Sequence, residues 1–393
     1  MSFSKNNPVL ISADSQASQI HHAGWIVADE NTVIKDGYIE VENQKIIHVS
    51  SDRPKGKIID QGPGILMPPL VNTHLHLELS ALKNLLPFDQ GFRHWVKVLL
   101  EKREQLGKEN LISAAEQAIQ TLITAGVLFV GDISTLNITK KILENSALRG
   151  ICFHEFLGTR MDDFKCEKKK EISISVAGHA PHSSSPQLLT ALKQNTRASG
   201  VPFSIHVAES EDESVFIRDK KGGWADFLLS RGIDGSKWEI GGKTPVAHLK
   251  SLGILDSDTI AVHVLNADVN DMQIMARSNA HVCICPRSNL NLHRKLPDIP
   301  MMISCGIFPA LGTDSLASCD SLSIFDEMKF IRQHYPDLSC EMIFSMATIN
   351  GARALKLDLQ TGTLAPDKNA QFLYLPLDVK HKKNIFQEII CHE

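Results

Sequence analysis

The chain has 393 residues and a formal net charge of −4 at pH 7. This charge balance provides no basic surface for nucleic acid, so we expect a small-molecule substrate and no nucleic-acid ligand. The first residues lack the apolar core of a signal peptide, and no stretch approaches the ~20 apolar residues that span a bilayer. The eight cysteines have no framework spacing, which indicates reduced thiols. We therefore expect a cytoplasmic protein without a membrane anchor.

The two ends of the chain have β character. Short β segments separated by turns occupy 24–28, 32–41 and 45–49, with no helical pattern between them, and a further β segment lies at 371–375. We expect the two ends to pair into one small β-sandwich. The predicted division of the chain is an N-terminal part of the sandwich, a central barrel and a C-terminal part of the sandwich, at 1–62, 63–357 and 358–393.

Between these ends, short apolar runs alternate with longer amphipathic stretches that have helical spacing. The candidate strands are 65–73, 127–132, 150–156, 172–178, 202–207, 259–264, 280–285 and 307–312. Eight strand–helix repeats predict an α/β fold of the (β/α)8 TIM-barrel type. In such a barrel, polar residues at the carboxyl ends of the strands converge on the face that carries out chemistry.

Several predicted strands end in a residue that can bind a metal ion or move a proton. His74 and His76 end the first strand, and because alternate residues of a strand share a face, both can reach one metal ion. With 17 histidines in the chain, such a pair can also arise by chance. Further candidates end the fourth, fifth, sixth and eighth strands, which predicts one shared pocket; they are His179, His206, His263 and Asp314.

Five motifs in this order resemble the amidohydrolase superfamily, in particular its branch of deaminases and chlorohydrolases that act on aromatic heterocycles. The motifs are residues 67–78 with Asn72-Thr73-His74-Leu75-His76, His206-Val207-Ala208-Glu209, His263, Cys285-Pro286-Arg287-Ser288-Asn289 and Gly312-Thr313-Asp314-Ser315. The resemblance covers nearly the whole chain. It implies a (β/α)8 barrel with a β-sandwich from both termini, as the periodicity predicts.

The resemblance also implies a metal centre. It makes His74, His76, His206 and Asp314 the ligands of one divalent metal ion per chain, zinc first and iron second, which activates a water molecule. Members with two metal ions carry a carboxylated lysine at the end of the fourth strand. No lysine ends that strand here, which favours one metal ion and ring deamination over hydrolysis of a cyclic amide.

Two further residues acquire catalytic roles from the resemblance. Glu209 is expected to be the acid/base that protonates a ring nitrogen, and His263 to orient the water whose proton Asp314 accepts. From the residues alone, Glu209 could equally be a surface residue that begins a helix in the acidic run 209–213, and His263 could be a core histidine.

The substrate contacts are predicted less specifically. His179 is expected to contact the substrate, whereas His182 fits a loop position as well, and Phe92 and Trp95 could stack on an aromatic group or form a core pair. An arginine such as Arg93 or Arg160 could bind a substrate carboxylate. The predicted contacts are His179, Glu78, Arg287, Ser288, Asn289, Phe92 and Trp95.

The implied activity is metal-dependent hydrolytic deamination of a purine-like ring, with 6-amino-6-deoxyfutalosine or an adenosine derivative as the substrate and ammonia as a product. A chlorohydrolase, or another carbon–nitrogen hydrolase acting on an aminated heterocycle, is the alternative. A non-catalytic scaffold on this fold is disfavoured because each metal-ligand position is filled. A homodimer is one assembly that the sequence allows.

Overall fold

The computed structural model describes residues 7–13, 18–161 and 163–392. Its strands form two sheets, one of seven strands and one of eight. The strands are β1 Val9–Ser12, β2 Gln19–Val27, β3 Val33–Glu42, β4 Lys45–Ser50, β5 Ile58–Asp60, β6 Ile65–Met67, β7 Leu70–Leu75, β8 Val127–Ser134, β9 Arg149–Phe156, β10 Ile172–Gly178, β11 Phe203–Val207, β12 Thr259–His263, β13 His281–Ile284, β14 Ala310–Leu311 and β15 Gln371–Leu375.

The helices lie mostly between the barrel strands. They are α1 Phe92–Thr124, α2 Lys140–Glu144, α3 Pro186–Ser199, α4 Glu211–Asp219, α5 Gly223–Ser230, α6 Pro245–Ser251, α7 Val269–Ser278, α8 Pro286–His293, α9 Ile299–Ser304, α10 Ile324–His334, α11 Cys340–Ala347, α12 Ile349–Ala354 and α13 Ile385–Ile390, with 3₁₀ turns at Leu77–Leu82 and Lys382–Asn384. Many begin where a side-chain oxygen caps a free backbone N–H, as Ser185 does for α3 and Ser210 for α4. Gly107, at φ 74°, interrupts α1 and divides it into two helical parts.

The predicted barrel is confirmed. Strands β7 to β14 run parallel in chain order, and a parallel bridge between Leu75 and Asp314 joins the first strand to the segment after the last. Apolar side chains of these strands, such as Phe129, Phe153 and Val262, are fully buried. Because all eight strands point the same way, their carboxyl ends meet at one face of the molecule.

The structure corrects two of the predicted strands. The run 65–73 is two elements, because Pro68 and Pro69 have no N–H to donate to a ladder: β6 belongs to the seven-stranded sheet and β7 to the barrel. The eighth strand is only Ala310–Leu311 and not 307–312.

The seven-stranded sheet joins the two ends of the chain, as predicted. Its strand order is β1-β15-β6-β2-β3-β4, with β5 pairing parallel to β2, and Ile26, Ile39 and Phe372 are buried in its core. The final helix α13 instead packs on the barrel, where the rings of Phe386 and Phe344 lie 5.2 Å apart. The domain limits 1–62, 63–357 and 358–393 stay predictions.

Two further expectations concern the chain as a whole. The eight cysteines are free thiols. Within the described residues, no helix is long and apolar enough to cross a membrane.

Candidate metal and active site

Three histidines predicted to share a metal ion lie together at the carboxyl face of the barrel. His74 is in β7, His76 follows it, and His206 is in β11. One nitrogen from each ring lies within 4.8 Å of the other two. Burial and the neighbouring imidazoles of His206 and His76 hold the pKa of His74 well below its usual value, and burial lowers the pKa of His76 to about 4. His74 and His76 therefore present neutral imidazole nitrogens, the form that binds metal.

The hydrogen bond of His206 defines which of its nitrogens is free to bind. Nδ1 lies 2.8 Å from the backbone carbonyl of His179, so Nδ1 carries the proton. Nε2 then has a lone pair, and it lies 3.3 Å from Nε2 of His74. Two imidazole nitrogens facing each other this closely suit a shared cation between them and the third ring.

Asp314 lies beside the three histidines. Its Oδ1 is 3.6 Å from Nε2 of His76, and its backbone carbonyl accepts the N–H of His76. Gly312 permits this approach, because a Cβ there would lie 2.7 Å from the carbonyl oxygen of His74 and 3.0 Å from Sγ of Cys283. Asp314 itself adopts φ 60°, a left-handed conformation that costs energy and often marks functional sites. The four predicted ligands are thus adjacent.

Glu209 and His263 lie next to this cluster. Oε1 of Glu209 is 3.7 Å from Nε2 of His263 and 3.1 Å from Nε2 of His293, the last residue of α8. Burial alone would raise the pKa of Glu209, but the imidazoles of His263, His293 and His206 together hold it below its usual value. Glu209 precedes helix α4 and points into the site; it is not a surface residue at the start of that helix.

Glu213 positions Glu209. Its carboxyl group accepts the backbone N–H groups of Ala208 at 3.1 Å and Glu209 at 2.9 Å. Ala208 adopts φ 52°, so these bonds hold a strained turn in place. Burial raises the pKa of Glu213 to about 8. The acidic run 209–213 therefore contains one buried carboxyl group, that of Glu213, and one largely buried carboxyl group, that of Glu209, which composition alone does not indicate.

The three predicted substrate contacts on α8, Arg287, Ser288 and Asn289, all have partners within the protein. The Ser288 hydroxyl donates to Oδ2 of Asp314 at 2.5 Å, and the Asn289 amide lies 3.0 Å from Nδ1 of His263. Both side chains are fully buried and orient other site residues. Arg287 points elsewhere, because its guanidinium pairs with carboxylates outside the site, those of Asp320, Asp326 and Glu327.

A cavity of about 330 Å³ lies over the histidine cluster. One wall is aromatic: the rings of Trp95 and Phe92 lie 5.9 Å apart, those of Phe92 and Trp224 5.8 Å, and those of Trp224 and His182 4.8 Å. Predicted site residues that line the cavity are His76, Glu78, Phe92, Trp95, His179, His206, Glu209, His263 and Asp314. The structure thus brings most of the predicted site to one cavity.

Glu78 lines the cavity, but its carboxylate is already engaged. It accepts the Ser134 hydroxyl at 2.8 Å and the backbone N–H groups of Thr135 and Leu136 at 3.1 and 3.0 Å. These bonds hold the loop after β8, which favours a positioning role over the predicted substrate contact. Asp132 acts similarly: it accepts the backbone N–H of Leu77 at 2.9 Å.

The arginines at the cavity differ from those that the sequence suggested. Arg93 pairs with the exposed Asp212 at 2.8 Å, and Arg160 is exposed outside the lining. Arg103 and Arg231 line the cavity instead. Arg103 lies on α1, with its guanidinium 3.8 Å from the Glu78 carboxylate.

The sequence motifs also missed Glu155, the residue before the last of β9. It is buried, its Oε1 lies 3.5 Å from Nδ1 of His206, and it forms with His179 and His206 a second group able to hold a metal ion. Burial would raise the pKa of Glu155, but the imidazoles of His179, His206 and His76 lower it. Its position at a strand end is the signal that could have found it.

Comparison with known proteins identifies the family of the chain. The sequence pattern of the amidohydrolase family matches residues 65–391. The chain is similar to an aminodeoxyfutalosine deaminase from Deinococcus radiodurans, with 28% identity over 355 residues that cover 84% of this chain and 81% of the relative. It is also similar to a 5-methylthioadenosine/S-adenosylhomocysteine deaminase from Desulfitobacterium hafniense, with 27% identity over 374 residues that cover 88% of this chain and 81% of the relative.

A solved structure shares the whole fold. Helicobacter pylori aminofutalosine deaminase, in complex with methylthio-coformycin, matches with a TM-score of 0.83 and 23% identity over 95% of this chain and 97% of that one. At this identity the likeness concerns the fold. Together with the family match over most of the chain and the names of the relatives, it confirms the resemblance seen in the motifs. The chain belongs to the amidohydrolase family and is a hydrolase of carbon–nitrogen bonds other than peptide bonds.

Proposed function

We propose that this enzyme is a hydrolytic deaminase that replaces the exocyclic amino group of an adenosine derivative by oxygen and releases ammonia. One observation carries the proposal: a cluster of three imidazoles and the carboxyl group of Asp314 lies beside the largely buried carboxyl group of Glu209 in a cavity with an aromatic wall. Water activation and proton transfer can therefore take place at one point of a bound ring.

One divalent metal ion would be held by His74, His76, His206 and Asp314. Three imidazole nitrogens and a carboxylate oxygen suit zinc, with iron as the second choice. The lone pair of His206 Nε2, fixed by the bond of Nδ1 to the His179 carbonyl, supports this donor set. When bound, such an ion supplies Lewis-acid activation of a water molecule.

Side chains of the protein transfer the protons of the reaction. Addition of water to the ring carbon and loss of ammonia require one proton to reach the neighbouring ring nitrogen and another to reach the leaving amino group. Glu209, as a carboxylate, can accept a proton from the attacking water and return it to the ring nitrogen. His263, held by Asn289, orients the water, and Asp314, held by Ser288, accepts its remaining proton and passes it to the amino group, which leaves as ammonia.

Two arginines in the cavity lining favour a substrate that carries a substituent at the 5′ position. Arg103 and Arg231 lie there, and guanidinium groups pair well with carboxylates. The relatives are named as an aminodeoxyfutalosine deaminase and a 5-methylthioadenosine/S-adenosylhomocysteine deaminase. The nucleosides in these names differ in the group at the 5′ position. His179 and the aromatic pair Phe92 and Trp95 would contact the bound nucleoside.

Ammonia release across a panel of nucleosides tests the proposal. The panel comprises aminodeoxyfutalosine, S-adenosylhomocysteine, 5′-methylthioadenosine and adenosine, with a chlorinated triazine as the substrate of the alternative reaction. We expect ammonia in a 1:1 ratio to product from at least one adenosine derivative. Chloride release from the triazine without ammonia from any nucleoside would favour the chlorohydrolase alternative.

A further inference from the structure

His182 is a polar residue of the cavity wall whose hydrogen-bonding capacity is unused. It lies in the turn after β10, is 3% exposed and lines the cavity. Neither Nδ1 nor Nε2 has a hydrogen-bond partner among the described residues. Three rings lie near it, those of Trp224 at 4.8 Å, His179 at 6.1 Å and Phe216 at 6.4 Å between centroids.

Burial of an imidazole without hydrogen-bond partners lowers the stability of the folded protein, because its polar atoms lose their bonds to water. Such groups are therefore rare in proteins and usually have a functional or structural explanation. His179, by contrast, already has a partner, since its Nδ1 lies 2.5 Å from the Ser183 hydroxyl. Trp95, on the same aromatic wall, also has a buried indole N–H without a partner in the described part of the chain. The cavity wall therefore carries buried polar atoms that have no hydrogen-bond partner in the described part of the chain.

The chemistry of that partner follows from the state of the ring. Burial lowers the pKa of His182 to about 3, so the imidazole is neutral and offers one N–H donor and one nitrogen acceptor. A neutral donor–acceptor pair does not select an anion. It suits a hydroxyl group or a ring nitrogen.

We propose that His182 is a specificity-determining residue that hydrogen-bonds a substrate atom remote from the reacting carbon, either a purine ring nitrogen or a sugar hydroxyl. This inference rests on the proposed function, because it takes an adenosine derivative as the ligand. The bond contributes to binding of the substrate and does not take part in proton transfer, so its loss affects KM more than kcat.

The test combines variants of His182 with substrates that lack single atoms. The variants are His182→Phe, which removes both polar atoms, and His182→Gln, which keeps a donor and an acceptor. The substrates are adenosine, 3-deazaadenosine, 7-deazaadenosine, 2′-deoxyadenosine and 3′-deoxyadenosine. His248→Gln is the matched control, since His248 is a buried histidine outside the cavity whose Nε2 also has no partner in the described residues.

We expect His182→Phe to raise KM for adenosine about tenfold, with kcat within about twofold and His182→Gln intermediate. The one analogue that lacks the bonded atom should show the same KM in the wild type and in His182→Phe, and its identity distinguishes a ring nitrogen from a hydroxyl. The melting temperature of His182→Phe should be unchanged or higher, because a buried unpaired polar group is removed. The control should behave as the wild type throughout.

Three outcomes would overturn the inference. The first is an unchanged KM for adenosine in His182→Phe. The second is an equal loss on all five substrates together with a lower melting temperature, which would assign His182 a structural role. The third is a wild type that releases no ammonia from any nucleoside. This result would contradict the proposed function, and it would also contradict the proposed hydrogen bond between His182 and the substrate. Wild-type turnover without the KM effect contradicts the His182 inference alone.

Discussion

Nε2 of His74 and Nε2 of His206 lie 3.3 Å apart, although the residues are 132 positions apart in the chain. Because Nδ1 of His206 faces the His179 carbonyl, the Nε2 atoms can satisfy each other only if His74 carries its proton on Nε2. A cation between the rings removes that requirement. This pair is the geometric centre of the proposed metal site.

Replacement of His206 by alanine should abolish metal binding. Loss of groups that merely orient metal ligands lowers affinity roughly 10–100-fold, so loss of a ligand should exceed about 100-fold. Metal analysis of the purified variant by mass spectrometry checks this expectation. Cys285→Ser, in the buried run after β13, is the control and should retain the wild-type metal content; normal metal content in His206→Ala would contradict the assignment.

Glu209→Gln should lower kcat by about 10²–10⁴-fold, because the amide cannot carry the proton between water and ring. Metal content and melting temperature should remain as in the wild type. His293→Gln, which only removes a hydrogen bond to Glu209, should cost about tenfold. The kcat of each variant is measured from steady-state ammonia release. A near wild-type kcat for Glu209→Gln would show that Glu209 is not the acid/base.

The buried Asp132 should make stability depend on pH. Burial raises its pKa to about 8, although bonds to Thr139 and Leu77 oppose the shift. Between the unfolded value of about 4 and this value, the folded state keeps a proton that the unfolded state has released. The free energy of unfolding therefore falls as pH rises, at most by about 1.4 kcal/mol per pH unit for this group.

Asp132→Asn should remove this contribution. The amide oxygen can still accept the Leu77 N–H, and its NH₂ group can donate to the Thr139 hydroxyl. Urea unfolding at several pH values between 5 and 8 should give a flatter profile for the variant than for the wild type. Parallel profiles would mean that Asp132 is ionised in the folded protein.

Arg231→Met and Arg103→Met should discriminate between substrates. Each should raise KM about tenfold for S-adenosylhomocysteine, which carries a carboxylate, because a charge-assisted hydrogen bond is lost at a partly exposed site. KM for 5′-methylthioadenosine, which has no charge there, should stay within about twofold. Arg93→Met, whose partner Asp212 lies outside the cavity, is the control, and equal effects on both substrates would argue against a carboxylate contact.

The barrel and the proximity of His74 and His76 could be predicted because their signals are local. Eight apolar runs ending in polar residues define the strands, and the alternation of side chains along a strand places His74 and His76 on one face. The division of 65–73 into two strands could also be predicted from the sequence, because Pro68 and Pro69 have no N–H to donate to a β-ladder. The short eighth strand could not be predicted, because the apolar run 307–312 does not indicate that only Ala310 and Leu311 pair with β13.

The contacts of the cavity could not be predicted because they depend on packing between distant elements. Arg287, Ser288 and Asn289 are consecutive on α8, yet successive helical residues point about 100° apart, so one faces outward while two support the site. Arg103 reaches the cavity only because α1 lies over the barrel mouth. Glu155 belongs to none of the motifs, and only the closed barrel brings it beside His206 and His179.

Metal titration of the metal-free enzyme tests the central claim most directly. Zinc is added in steps to protein stripped with a chelator, and ammonia release from the best nucleoside is measured at each step. We predict activity that is absent at the start, rises in proportion to zinc and reaches its plateau at one ion per chain. Full activity in the metal-free protein, or a plateau at two ions per chain, would contradict a deaminase with a single metal ion.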